Sequence, residues 1–197
     1  MKNKNIKLIL KQSLFWQPKQ DVFKKICQLR HGHQFLLVIN YIIWVFLFFV
    51  SYLLIKQDKN VFWQLFLATI LSEIIEKLLK AKSFWRRPLH LNNNTLPNGI
   101  LKSWYQKGSF PSGHAIKAAF FFILLLHSGI LISPLLFLLI ISPLVLARII
   151  LGLHYPIDIL GGIIIGLLIG LLVNQLHFPL SMINFFTSIF NFIFLIK

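Results

Sequence analysis

Acidic residues and cysteine are both scarce in this chain of 197 residues. Asp and Glu together number 5 against 20 Lys and Arg, which gives a formal net charge of +15. The single cysteine, Cys27, excludes an intrachain disulfide and any metal site built from several cysteines.

Charged residues of either sign are few as well. They make up 13% of the chain, whereas hydrophobic residues make up 57%, and the mean hydropathy is +0.76. A soluble domain of this size needs a more polar surface, so the composition predicts a protein whose solvent is mostly lipid. In a soluble protein the basic excess would suggest nucleic acid. Here the Lys and Arg residues cluster at the ends of apolar runs, which favours anionic lipid headgroups or an anionic substrate as partners instead.

The apolar runs predict an all-α fold, a polytopic membrane bundle of five to six transmembrane helices. The expected spans are about Phe35–Ile55 and Val61–Leu79, one starting at His114, one ending near Leu153, and about Ile157–Leu176. Residues 178–196 form either a short sixth span or a surface segment. The fifth span has a small-residue seam that permits close helix packing, at Gly162, Gly166 and Gly170.

The N-terminal segment, residues 1–34, differs from the rest of the chain. It carries eight Lys and Arg interleaved with apolar residues, a pattern typical of an amphipathic segment in the headgroup region, although a flexible basic tail fits equally. The predicted organisation is therefore an interfacial segment, 1–34, and a transmembrane domain, 35–197.

Three polar groups interrupt the apolar pattern: Lys80 to Pro88, Ser109 to His114, and Ala147 to Asp158. The second and third are separated by two apolar runs that carry the chain across a bilayer and back, so we expect all three groups at one face of the membrane. Basic residues, histidines, a serine beside a glycine and one aspartate then converge there. This combination indicates a phosphate-handling site.

Each group offers a different part of such a site. Ser112 is a candidate N-cap, and the first N–H groups of a helix bind anions. Gly113 lets the backbone approach a phosphate closely, and His114 follows in the first turn. A carboxylate from Asp158 at one imidazole nitrogen of His154 would leave the other nitrogen to attack. Three further cations can neutralise the phosphate oxygens, namely Lys80, Arg87 and Arg148.

Together the groups resemble the signature of the type 2 phosphatidic acid phosphatase (PAP2) superfamily, written K-x6-RP, PSGH and SR-x5-H-x3-D. Lys80 to Pro88 fits the first motif, residues 111–114 match the second letter for letter, and Arg148 to Asp158 fits the third. The one departure is Ala147, where the pattern has a serine whose hydroxyl could donate to the phosphate. The resemblance covers roughly residues 60–175.

The resemblance implies a role for each matching residue. His154 would be the nucleophile that forms a phosphohistidine, Asp158 would orient it, and His114 would protonate the leaving oxygen. The phosphate would be bound by Lys80, Arg87, Ser112, Gly113 and Arg148. No cofactor and no metal are implied, and the sequence agrees because it lacks a cluster of carboxylates for magnesium.

The implied activity is metal-independent hydrolysis of a terminal phosphate from a lipid phosphate or diphosphate, with membrane lipids as surroundings. The short chain, with two spans before Lys80, is similar to small bacterial undecaprenyl-diphosphate phosphatases. Phosphatidylglycerophosphate, phosphatidate and lipid A phosphates stay open as substrates, and so does phosphotransfer to an acceptor other than water. The alternative from another class is a non-catalytic lipid-binding membrane protein.

Orientation and the charges outside the motifs complete the expectations. The positive-inside rule, applied to residues 1–34, would place the site in the cytoplasm. Bacterial relatives place it on the outer side of the inner membrane, and we expect that face here. Two intrahelical ion pairs are expected, Glu73–Lys77 and Glu76–Lys80. Lys117 is expected to snorkel toward the headgroups.

Overall fold

The computed structural model describes residues 12–16, 32–82, 84–88, 108–129 and 133–194. These residues form helices and no strand, which confirms the all-α prediction. The long helices are α1 (Gly32–Gln57), α2 (Asn60–Ala81), α3 (Gly113–His127), α4 (Pro134–Ile150), α5 (Pro156–Asn174) and α6 (Leu180–Phe194). Most of the predicted interfacial segment 1–34 lies outside the described residues, so that division of the chain stays a prediction.

The outer surface of the helices is apolar. Among the described residues, one helix, Pro156–Asn174, is long and apolar enough by length and composition to cross a membrane. The other apolar helices are shorter: Tyr41–Gln57, Gly113–His127, Pro134–Ile150 and Leu180–Ile193. Large side chains point outward, such as Leu135 at 77% exposure and Phe48 at 72%. This surface suits a lipid environment, and the predicted number of spans stays a prediction.

Helix α3 lies at the centre of the bundle. It packs against α1, α2, α4 and α5. Its buried residues include the consecutive run from Ala115 to Phe121, so all of its faces are covered. A helix that is apolar all round belongs in such a position. Since His114 is in its first turn, the candidate site lies at one end of the bundle centre.

The glycines of α5 allow close packing against α3, as the seam predicts. A Cβ atom at Gly166 would lie 2.2 Å from the carbonyl oxygen of Ile116, and one at Gly162 would lie 2.6 Å from that of Ser112. Contacts this short exclude any side chain at either position. The close approach brings the start of α5, with Asp158, against the start of α3. There the Ser112 N–H donates to the Asp158 carbonyl oxygen at 3.0 Å.

The charges on α2 correct two expectations. The Glu76–Lys80 pair is present. Glu73, however, pairs with Lys117 at 2.8 Å and not with Lys77. Lys117 is 4% exposed, so the expectation that it snorkels to the headgroups is wrong. Helices α2 and α3 are neighbours, so the carboxylates of α2 lie beside Lys117. In an apolar bundle, a charged lysine costs less free energy when it is paired with such carboxylates than when it is buried without a partner.

The C-terminal residues that the sequence left undecided form α6, which folds back onto α2. The ring of Phe186 stacks on Phe62 with 8° between their planes. The Trp63 indole donates to the Met182 carbonyl oxygen at 3.2 Å, and the Phe178 N–H donates to the Asn60 side chain at 3.0 Å. These hydrogen bonds lie at the N-terminal end of α2, opposite the end that carries Lys80.

Candidate active site

The three polar groups of the sequence meet at one end of the bundle. The Ser109 N–H donates to the Trp85 carbonyl oxygen at 3.3 Å, which joins the first group to the second. Ser112 is joined to Asp158 as described above, and this contact links the second group to the third. The Arg87 guanidinium donates to the Leu153 carbonyl oxygen at 3.3 Å, which links the first to the third. The predicted convergence is therefore confirmed for these residues.

A glycine-based turn at the end of α4 positions His154. Gly152 has φ of 66°, a left-handed conformation. Its N–H donates to the Ile149 carbonyl oxygen at 2.9 Å, and the next N–H, of Leu153, donates to the Arg148 carbonyl oxygen at 2.9 Å. This pair of bonds is the Schellman motif, in which glycine is the usual left-handed residue. His154 also donates from its backbone to the Arg148 carbonyl, at 3.3 Å.

Asp158 is fully buried, and both of its carboxylate oxygens have contacts. Oδ2 accepts from the Tyr155 N–H at 2.8 Å and lies 3.4 Å from His154 Nδ1. Oδ1 accepts from the Trp85 indole N–H at 2.8 Å. Pro156 starts α5, so Asp158 occupies the third helical position, where a carboxylate caps the helix start and is stabilised by its dipole.

His154 is 4% exposed and lies between α4 and α5. Burial disfavours the imidazolium and is the main cause that lowers the pKa of His154 to about 4; Asp158 opposes this shift, while Arg87 and Lys80 add to it. The imidazole is therefore neutral near pH 7. A neutral ring is the form that a nucleophilic histidine requires.

His114 contacts the guanidinium of Arg148. The distance from Arg148 Nη2 to His114 Nε2 is 3.0 Å. Because a guanidinium only donates, Nε2 must accept, and the ring proton belongs on Nδ1. In this arrangement His114 is neutral, so it must gain a proton before it can act as an acid. Trp44 also contacts the His114 ring edge-on, with 5.7 Å between the ring centroids.

The predicted phosphate ligands line the same region. Arg87 is 7% exposed and Arg148 is 4% exposed, whereas the neighbouring Arg86 faces outward. Ser112 occupies the N-cap position of α3, as expected, but its hydroxyl makes no capping bond. That Oγ is fully buried and has no hydrogen-bond partner within the described residues. A buried hydroxyl left without a partner costs about 1–3 kcal/mol, which an oxyanion beside it would remove.

Gly113 has a second role that the sequence did not indicate. A Cβ atom there would lie 2.1 Å from the Glu76 carboxylate, so the flexible Glu76 side chain would have to move to admit one. Glu76 therefore lies against the start of α3 and pairs with Lys80. Its Oε2 atom is also 3.7 Å from Lys117 Nζ. Within the described residues, no group of three or more His, Cys, Asp or Glu side chains is placed to hold a metal ion.

The family model described as the PAP2 superfamily matches residues 61–181, a stretch that contains all three polar groups. The chain belongs to the PAP2 superfamily. The crystal structure of a transmembrane PAP2 type phosphatidylglycerolphosphate phosphatase from Bacillus subtilis is similar to it, with 21% identity over 87% of this chain and 84% of that chain, and a TM-score of 0.45. PAP2 membership confirms the predicted enzyme class, a phosphoric monoester hydrolase.

Three residues of this PAP2 site were not predicted as part of it. Gly152 lies in the run LGLH after Arg148, and the preference for glycine just past a helix end could have identified it. Glu76 was predicted only as an ion-pair partner. Trp85 lies within the first polar group but was given no role there, and nothing in its sequence position indicates that its indole reaches Asp158.

Proposed function

We propose that this PAP2 protein is an integral-membrane lipid phosphatase that removes a terminal phosphate through a phosphohistidine at His154. The observation that carries the proposal is the convergence, in one buried region, of a histidine beside a carboxylate with two buried arginines and a serine hydroxyl that has no hydrogen-bond partner among the described residues. Cations and donors of this kind stabilise the charge of a phosphoryl group in transfer.

In the first step, the Nε2 lone pair of His154 attacks phosphorus. Nδ1 faces Asp158 at 3.4 Å, so Nε2 is the attacking nitrogen. The bond from phosphorus to the lipid oxygen breaks, and His114 gives its proton to that oxygen. A phosphate dianion beside His114 favours the imidazolium that this step requires, and it also competes for Arg148, which otherwise donates to the same Nε2.

In the second step, water attacks the phosphohistidine. His114, now neutral, takes a proton from the water, and the nitrogen–phosphorus bond breaks. Inorganic phosphate leaves and His154 returns to its neutral form. Lys80, Arg87, Arg148 and the backbone at Gly113 hold the non-bridging oxygens in both steps, with the Ser112 hydroxyl as a further donor.

For the substrate we propose a lipid diphosphate, with undecaprenyl diphosphate as the best candidate. The basis is the resemblance of this short chain to small phosphatases that act on that carrier. We further propose that the protein lies in the inner membrane with the site on its extracytoplasmic face. We expect the loop 89–110 to select the headgroup; its residues 89–107 lie outside the described residues.

Phosphate release by purified protein in detergent tests the activity. The panel is undecaprenyl diphosphate, phosphatidylglycerophosphate, phosphatidate and a lipid A phosphate. His154→Ala should reduce turnover by at least about 10⁴-fold, because loss of a nucleophile removes the covalent route. His177→Ala is the matched control, since His177 is exposed beyond the end of α5. Retained turnover in His154→Ala would show that the nucleophile is assigned wrongly.

Thiol labelling tests the orientation. In a Cys27→Ser background, Arg86→Cys reports on the side that carries the site, and Gln57→Cys, at the end of α1, reports on the opposite side. Both residues are exposed. An impermeant reagent should label position 86 in intact cells and position 57 only after permeabilisation. The reverse pattern would place the site in the cytoplasm.

A further inference from the structure

Trp85 contacts all three polar groups of the site. It belongs to the first group by sequence, five residues after Lys80. Its carbonyl oxygen accepts the Ser109 N–H of the second group, and its indole N–H donates to Asp158 Oδ1 of the third at 2.8 Å. Among the described residues, no other side chain donates a hydrogen bond to Oδ1.

The indole contact fixes the direction of a fully buried carboxylate. Oδ2 is held by the Tyr155 N–H and faces His154, whereas Oδ1 depends on Trp85. Without a donor at Oδ1, a buried carboxylate would lose solvation that the interior cannot replace. It would then turn to share Tyr155 or His154 between both oxygens. Oδ2 approaches His154 Nδ1 only to 3.4 Å, and Nδ1 has no hydrogen bond within the described residues, so a small rotation of the carboxylate would remove this contact.

We propose that Trp85 is a positioning residue, whose indole N–H holds Asp158 so that its other oxygen orients His154 for attack. This inference rests on the proposed phosphatase function. It assigns a role in the reaction to a residue at a variable position of the first motif.

The chemistry of indole suits this task. The N–H group donates only, carries no charge and does not titrate, so it cannot take the place of His154 as a proton partner of the carboxylate. The ring is also held in place. Phe15 meets it edge-on with 5.1 Å between centroids, and Phe110 lies at 5.3 Å. A donor on a rigid ring loses little conformational freedom when it makes the bond, which favours a fixed geometry.

The sharpest test removes one N–H and keeps the ring. Replacing the indole of Trp85 by benzothiophene, through an incorporated benzothienylalanine, retains the shape and deletes the donor; Trp85→Phe is the simpler second variant. The matched control is the same replacement at Trp63, whose indole donates to the Met182 carbonyl at the far end of α2. The kcat of the Trp85 variant should fall about 10–100-fold, as for loss of an outer partner of a reacting group. The inhibition constant of inorganic phosphate should stay within about 2-fold, because the phosphate ligands are unchanged.

A second measurement does not depend on turnover. Nitrogen NMR of His154 should show one tautomer, protonated at Nδ1, in the wild-type protein, and a mixture in the Trp85 variant. An unchanged tautomer together with kcat within about 2-fold of wild type would overturn the inference. Parallel losses in kcat and phosphate binding would overturn it too, because they indicate general distortion of the site. Wild-type protein that releases no phosphate from any lipid would refute the proposed function instead, and the NMR result would still decide the role of Trp85.

Discussion

Replacing Gly152 by alanine tests how the end of α4 positions the nucleophile. The φ of 66° at this residue places any Cβ in the left-handed region, at a cost of about 1–2 kcal/mol. For a chain of this length such a loss corresponds to roughly 2–8 °C in Tm. The turn could relieve this strain by shifting, and His154 would then move with it. A displacement of about 1 Å in a reacting group costs on the order of 10²-fold in rate.

Gly129 provides the control for this substitution. It also has a left-handed φ, 61°, but lies past the end of α3 opposite to His114, and a Cβ there would meet no atom within 4 Å. Gly129→Ala should lower Tm comparably and leave kcat unchanged. Gly152→Asn should recover much of the activity, because asparagine tolerates the left-handed region. The reasoning would be refuted if both alanine variants lost equal activity in phosphate-release assays, with Tm followed by thermal unfolding in detergent.

Four other tests concern charge and inhibition. Because burial lowers the pKa of His154 to about 4, the acid limb of the kcat/KM profile is expected near pH 4. Arg87→Gln removes a cation that lowers this pKa, so it should move the limb to higher pH. A limb at the same pH in both enzymes would contradict this. The same lowered pKa makes the folded protein less stable as the pH falls from 6.5 to 4, because the unfolded chain binds a proton there that the buried ring does not. The Tm of His154→Asn should therefore fall less across this range than the Tm of the wild type. Lys117→Met should destabilise by less than about 1 kcal/mol in denaturant unfolding, because the Glu73 side chain left behind is 44% exposed and Glu76 keeps its pair with Lys80. Glu73→Gln should cost more, since it leaves the ammonium of Lys117, whose side chain is 5% exposed, with Glu76 alone at 3.7 Å; equal losses would show that burial does not set the strength of this pair. Vanadate should inhibit as a mimic of the phosphoryl group in transfer, whereas EDTA should leave kcat unchanged, and strong inhibition by EDTA would indicate a metal-dependent mechanism.

The sequence predicted the long-range arrangement of the site because membrane spans constrain topology strongly. Two apolar runs between His114 and His154 leave few ways to place these residues other than at one face. The four-residue spacing of Gly162, Gly166 and Gly170 similarly predicted a close helix contact. Patterns of this kind depend on order and period along the chain, which a sequence contains directly.

The contacts that the sequence did not reveal depend on the rotation of neighbouring helices. The pairing of Glu73 with Lys117 requires that α2 present this carboxylate to α3, and the i,i+4 rule considers α2 alone. The indole of Trp85 reaches Asp158 across 73 residues of sequence separation. A tryptophan near a span end has an adequate explanation in the interface, so no local signal favours the site instead.

The cations of the site have partners within the chain, so phosphate binding is an exchange of partners. Lys80 pairs with Glu76, and Arg148 donates to His114. Such pairing removes the cost of unpaired charge in an apolar bundle, but it also reduces the net affinity for an anion, which must replace these contacts.

The exchange at Arg148 has a chemical consequence. When the guanidinium turns to the phosphate, His114 Nε2 loses the hydrogen bond from Arg148, which it can accept only while the ring is neutral. The ring then has a neighbouring anion, which favours its protonation. Substrate binding would therefore generate the acid that the first step needs. Arg148→Gln removes the donor that keeps the free ring neutral and also removes a phosphate ligand, so it should weaken phosphate binding more than it slows protonation of the leaving oxygen. Leaving groups with a low pKa, which need no proton, should then restore little of the lost rate, and a loss confined to leaving groups of high pKa would contradict this coupling.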